Sequence, residues 1–194
     1  MSKRKVGYPS IDDVQRRVAN ISIGASTLRN QGDSGVAGAA RGFLVKLPLA
    51  RLSEKTERQF NKWLNRETLR LSKQFKGGAK NNWGAARKAI NIFLENAFYD
   101  RFLSEEYGLQ KLEDMLEIPL DSNVAKGLKK DWKTYLKKHK IDPDSYKLPQ
   151  WESIKGLRVE DSDEFQACAH KVAKSEPNYR YRIYLDLKYW RPKD

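Results

Sequence analysis

The 194-residue chain has a single cysteine, Cys168. One thiol excludes a disulfide framework, a cysteine-rich zinc site and a four-cysteine iron–sulfur cluster. There are only two histidines, His139 and His170, and neither has a partner at metal-ligand or catalytic spacing. No run of about 18 apolar residues occurs, so no membrane span is expected. Met1 to Lys5 is basic but leads into no apolar stretch, so no signal peptide is expected either. A cytoplasmic protein that needs no cofactor is the expectation. Internal repeats and low-complexity tracts are missing.

Acidic residues are scarce in the first part of the chain. Residues 1–80 hold 17 Lys and Arg against 6 Asp and Glu, while residues 81–194 hold 21 against 19, within a total of +13. A concentrated positive field attracts polyanions and steers their encounter. The partner expected from this charge is nucleic acid.

Between residues 10 and 140 proline is rare and apolar residues recur at spacings of three and four, which predicts helices. Ser10 caps a first helix through Val14, Val18 and Ile21 that stops near Gly32. A small-residue helix covers 34–47, and Pro48 ends it. Ser53 opens an amphipathic helix to about Phe75, with Phe60, Trp63, Leu64 and Leu71 inward. Trp83 to Leu103 is the most apolar and reads as the central helix. A short helix carries Leu109, Leu112 and Leu116. Another follows Asp121 to about His139, and one more spans Ser162 to Lys174. Arg180 to Arg191 alternates polar and apolar residues, which favours a short C-terminal strand over a last helix. The fold class is mainly α. One domain is expected, with a cleft between two helical lobes: residues 1–80 with the C-terminal part, and the central helices at 81–140.

The sharpest local signal is Ile118-Pro119-Leu120-Asp121-Ser122-Asn123-Val124. An aspartate at a helix N-terminus caps it, or projects as a fixed carboxylate; the cap is the commoner role. Beyond it, Lys126, Lys130 and Lys133 fall on one helical face. They are able to grip phosphates or to form a solvated surface.

The segment around Asp121 resembles the stretch that carries the catalytic aspartate in helix-hairpin-helix (HhH-GPD) DNA glycosylases, most closely in the adenine-glycosylase branch. Trp83 to Asn91 is similar to the helix that follows the hairpin in that family. The resemblance implies a helical bundle of the HhH-GPD type that flips a base out of the stack and hydrolyses its N-glycosidic bond. Asp121 would stabilise the positive charge left on the sugar, and Asn123 would position the water or the sugar. Arg29, Asn30 and Gln31, at the end of the first helix, match the place from which the family fills the gap left by the flipped base. Arg87 and Lys88 are expected on phosphates. Thirty-three positions separate Lys88 from Asp121, which makes residues 100–117 an insertion. That spacing sets Lys88 aside as an amine nucleophile and implies a monofunctional enzyme. Trp83, Tyr107 and Trp151 are either stacking partners for a base or core residues. Divergence from the family pattern suggests a hypermodified target in phage DNA, such as a glycosylated hydroxymethylcytosine, removed as antiviral defence.

Two other readings stand beside this one. Asp186-Leu187-Lys188, with Asp161, Asp163 or Glu164 upstream, could bind a divalent metal as a nuclease. A nucleic-acid-binding protein without catalysis would use the basic N-terminal portion and keep Asp121 only as a cap.

Overall fold

Ser10 begins the first helix as its side chain accepts from the Asp13 amide. That helix, α1 (Ile11–Ser22), stops ten residues short of the expected Gly32. The chain turns at Ile23, where the Arg41 side chain donates to the Ile23 carbonyl at 2.9 Å. The structure, a computed structural model, describes residues 8–24, 26–28, 30–31 and 35–190. Helix α2 (Gly35–Leu44) follows, and Gln15 of α1 donates to the carbonyls of Leu44, Val45 and Leu47 at its end.

A capping box, not Ser53, opens the next helix. Thr56 and Gln59 exchange side-chain and backbone hydrogen bonds ahead of α3 (Glu57–Ser72), and Ser53 lies in a short 3-10 turn before it. Satisfying two orphan amides reciprocally outweighs one isolated serine cap. Helix α4 (Trp83–Tyr99) is capped by Asn82 and packs on α1, α2 and α3. It ends earlier than its apolar pattern suggests, because Asp100 leaves the helical conformation and caps α5 (Arg101–Tyr107) through the Leu103 amide. After a 3-10 turn over Leu109–Leu112 an extended linker leads to α6 (Ser122–Lys138). Helix α7 (Val159–Ser175) packs on α6.

The C-terminal strand is not formed. Arg182–Tyr184 is a 3-10 turn that runs into α8 (Leu185–Tyr189), and no strand occurs among the described residues. Period-two alternation there coincides with two different burial demands: Ile183 enters one core and Leu185 the other. The first core gathers α1 to α5 and reaches Leu116; the second gathers α6, α7 and their neighbours from Ile118 onward. Packing therefore divides at Glu117 instead of near residue 80, and α4 belongs with the first three helices. No helix among the described residues is long and apolar enough to cross a membrane.

Candidate functional site

Residues 117–120 lie outside any helix and make no backbone–backbone hydrogen bond with a described residue, so side chains from three elements hold this stretch. Arg182 donates to the carbonyls of Met115 and Leu116 at 2.8 and 2.9 Å. Gln166 of α7 takes both polar groups of Ile118, accepting from its amide at 3.1 Å and donating to its carbonyl at 2.8 Å. Between them Glu117 is buried, with Arg87 forked onto its two oxygens at 2.9 and 3.0 Å and Asn91 donating at 2.9 Å. Burial would raise the Glu117 pKa, but the charges of Arg87 and Arg182 and the Asn91 and Arg87 hydrogen bonds lower it on balance. Pro119 is buried next, and the chain arrives at Asp121 with its direction fixed.

Arg87 is thus not the phosphate contact expected of it. Its guanidinium is buried between Glu117, Thr68 and the Trp83 ring. A planar fork with five donors suits this buried role.

Asp121 uses its two oxygens differently. Oδ1 accepts from the amides of Asn123 and Val124 at 2.9 and 3.0 Å, which caps α6. Oδ2 faces Lys88 Nζ at 3.4 Å. Lys88 and Asp121 are 33 positions apart in sequence, and the linker carries them together. Asn123 contributes its backbone amide to the cap and leaves its side chain exposed.

Two further carboxyls, Asp186 and Glu95, are electrostatically perturbed, Asp186 by the charge of Asp121 and Glu95 by that of Asp186. Lys88, Glu95 and Tyr99 lie seven and four residues apart, on one face of α4. Asp186 of α8 completes the group. Its pKa is pushed up to about 6, first by burial and then by the charge of Asp121, with Lys88 opposing. Glu95 is pushed up to about 9 by burial and by the charge of Asp186. Perturbed carboxyls concentrate at functional sites and also occur in structural ion-pair networks. Helix α8 is held in place by α6. Tyr189 donates to Asp131 at 2.9 Å, and its ring packs so close to Gly127 that a Cβ there would lie 2.4 Å from it.

The remaining expected residues scatter. Lys126, Lys130 and Lys133 are exposed along α6 and make no ion pair with a described residue. Lys137 continues their stripe by helical spacing, and it was missed. Asn30 is exposed in a left-handed turn, and Gln31 accepts from Asn82, the cap of α4, at 3.2 Å. Both follow a turn, since α1 has already ended. Arg29 lies outside the described residues. Trp151 packs edge-on against Phe165 and donates to Ser122 at 3.3 Å, at the rim of a surface cavity of about 520 Å3 next to the start of α6. Trp83 lies under Arg87, and Tyr107 packs against the first core.

The nuclease set does not assemble. Lys188 is held between Asp131 and Glu176, both at 2.7 Å. Asp161 pairs with Arg158 at 2.8 Å, and no three His, Cys, Asp or Glu residues among those described converge on a metal site. The helix places Asp186 and Lys188 on different sides, whereas a strand would have put them on one.

Glu95 was legible as the single carboxylate in the apolar run Ile92-Phe93-Leu94-Glu95. Asp186 belongs in the sequence to the alternative nuclease reading. No protein-family model, curated protein or solved structure gives a significant match to the chain.

Proposed function

We propose that the chain is a monofunctional DNA N-glycosylase of the helix-hairpin-helix type. The observation that carries this reading is the Lys88–Asp121 contact at 3.4 Å: both residues belong to the segments that resemble that family, and folding joins them across 33 positions. A carboxylate fixed by two backbone amides is preorganised to stabilise an oxocarbenium-like sugar without reorganising during the reaction. Lys88 orients that carboxylate, and its amine is engaged by Asp121 instead of free to act as a nucleophile. The lysines of α6 start one turn from Asp121 and supply phosphate contacts to double-stranded DNA. Asn30 and Gln31 remain the wedge candidates. Gln31 is tied to the start of α4, about 9 Å along the helix axis from Lys88. The target base is a hypermodified one in phage DNA, such as glycosylated hydroxymethylcytosine, removed by a cytoplasmic monomer as antiviral defence.

The test is incubation in EDTA with modified and unmodified phage DNAs, followed by alkali. Alkali-labile sites confined to modified DNA are expected. No such site in any DNA contradicts the reading. Borohydride should trap no protein–DNA adduct, and an adduct lost in Lys88→Gln would make the enzyme a lyase.

A further inference from the structure

Most of the net positive charge lies in residues 1–80, while the lysines of α6 all lie beyond Asp121. Helix α3 carries much of it on the surface. Arg58, Lys62, Arg66 and Arg70 are exposed at intervals of four residues, a row about 18 Å long. The row ends at a surface cavity of about 340 Å3 between α3 and the end of α2, lined by Gly42, Phe43, Lys46, Pro48, Arg70 and Gln74.

The cations at this cavity are held in place by a buried carboxylate. Glu67 has no exposed side-chain surface and accepts from Arg66 at 3.0 Å and from Arg70 at 2.7 Å. Arg70 also lies over the Phe43 ring, 5.8 Å from its centre. A carboxylate and an aromatic face thus fix a guanidinium that spends one donor on Glu67 and keeps the others free. The Lys46 side chain makes no ion pair or hydrogen bond with a described residue. Arg66, Arg70 and Lys46 stand against Glu67 alone, which leaves an excess of two positive charges. The carbonyls that end α2 do not oppose an anion here, because those of Arg41, Phe43 and Leu44 accept from the amides of Val45, Lys46 and Leu47.

We propose that the cavity between α2 and α3 binds a phosphate group, gripped by Arg70 and Lys46. The site shares no residue with the Asp121 cluster and does not rest on the glycosylase reading. A fixed guanidinium matches two phosphate oxygens at once, and an ammonium adds a compact charge. The excess of two positive charges suits a phosphate, which carries up to about two negative charges near neutral pH. The row on α3 concentrates polyanions along its length and leads their phosphates to the cavity. Gly42 keeps the entrance open, since a Cβ there would meet nothing within 4 Å.

The test uses the full chain and its Gly42→Ala, Gly42→Glu and Lys46→Gln variants. Alanine and glutamate are better helix formers than glycine, so the fold should persist, which circular dichroism verifies. Inorganic phosphate is titrated at constant ionic strength while amide NMR signals are followed, with acetate as the control anion. Duplex DNA affinity is measured in parallel by fluorescence anisotropy. Saturable shifts at Gly42, Lys46 and the Gln74 side-chain amide are expected with phosphate and not with acetate. Lys46→Gln should weaken binding about tenfold, the worth of one charge-assisted hydrogen bond. Gly42→Glu should abolish it, and Gly42→Ala should leave it unchanged. Duplex affinity that falls in the same two variants assigns the phosphate to the DNA backbone. Duplex affinity that stays constant while phosphate binding is lost assigns it to a free or terminal phosphate. Shifts that do not saturate, that acetate reproduces, or that persist in folded Gly42→Glu overturn the inference, whatever base release shows.

Discussion

Lys88 and Asp121 meet at 3.4 Å although they stand 33 positions apart in the chain. The contact depends on what happens one residue before Lys88 and four residues before Asp121. Arg87 and Glu117 form a buried fork that anchors the linker to α4, and four residues later Asp121 emerges beside Lys88. Structural and chemical roles are divided between neighbours: Arg87 holds the seam between the two cores, and Lys88 faces the site.

The fork should be costly to break and cheap to replace. Glu117→Leu or Arg87→Met removes one partner of the buried fork and should destabilise by about 3–5 kcal/mol. The double change Arg87→Met with Glu117→Leu should recover part of that loss. Urea unfolding of the three variants measures it. Additive losses in the double variant would mean that the pair is not coupled.

Glu95 predicts a pH dependence of stability. The folded state holds its proton up to about 9, while the ordinary value is 4.5. Between those limits the unfolded chain binds fewer protons, so stability falls as pH rises. Asp186, raised to about 6 from 3.8, acts in the same direction over a lower window. Glu95→Gln removes the larger part. Its stability advantage over the wild type should be small near pH 4.5 and widen toward pH 9. Urea midpoints at pH 5 and 8.5 check this, and an equal difference at both would contradict it.

The elements were largely legible in the sequence, and the site was legible in pieces. Asp121 announced itself through Pro119 ahead of it and the helix behind it, and α6 ends where its pattern ends. Three errors have physical sources. Ser53 was read as a cap because a lone serine looks like one, whereas the Thr56–Gln59 box satisfies two amides. The last segment was read as a strand because alternate residues enter two separate cores, which mimics a period of two. Arg87 was expected on phosphates as one of two adjacent basic residues, whereas its guanidinium is buried against Glu117, Thr68 and the Trp83 ring. The convergence of Glu95 and Asp186 depends on how α8 lies against α6, and no local pattern encodes it. The clue was Gly127, whose missing side chain admits the Tyr189 ring.

The lysine stripe predicts a salt signature. Lys126, Lys130, Lys133 and Lys137 face solvent along about 16 Å of α6. Each that contacts a phosphate contributes close to one unit to the slope of log K against log salt. Replacing Lys130 and Lys133 by alanine should lower affinity for duplex DNA similarly across sequences and reduce the slope by about two. Fluorescence anisotropy at graded salt measures both. An unchanged slope would make the stripe a solvated surface.

Asp121→Asn is the most direct test of the central claim. Asparagine caps helices as well as aspartate, so α6 and the fold should persist while the negative charge facing Lys88 is lost. The measurement is single-turnover base release from modified phage DNA, with DNA affinity determined in parallel. The account predicts unchanged binding and release slowed about 100-fold or more. Release at the wild-type rate by a folded, DNA-binding Asp121→Asn protein would contradict it.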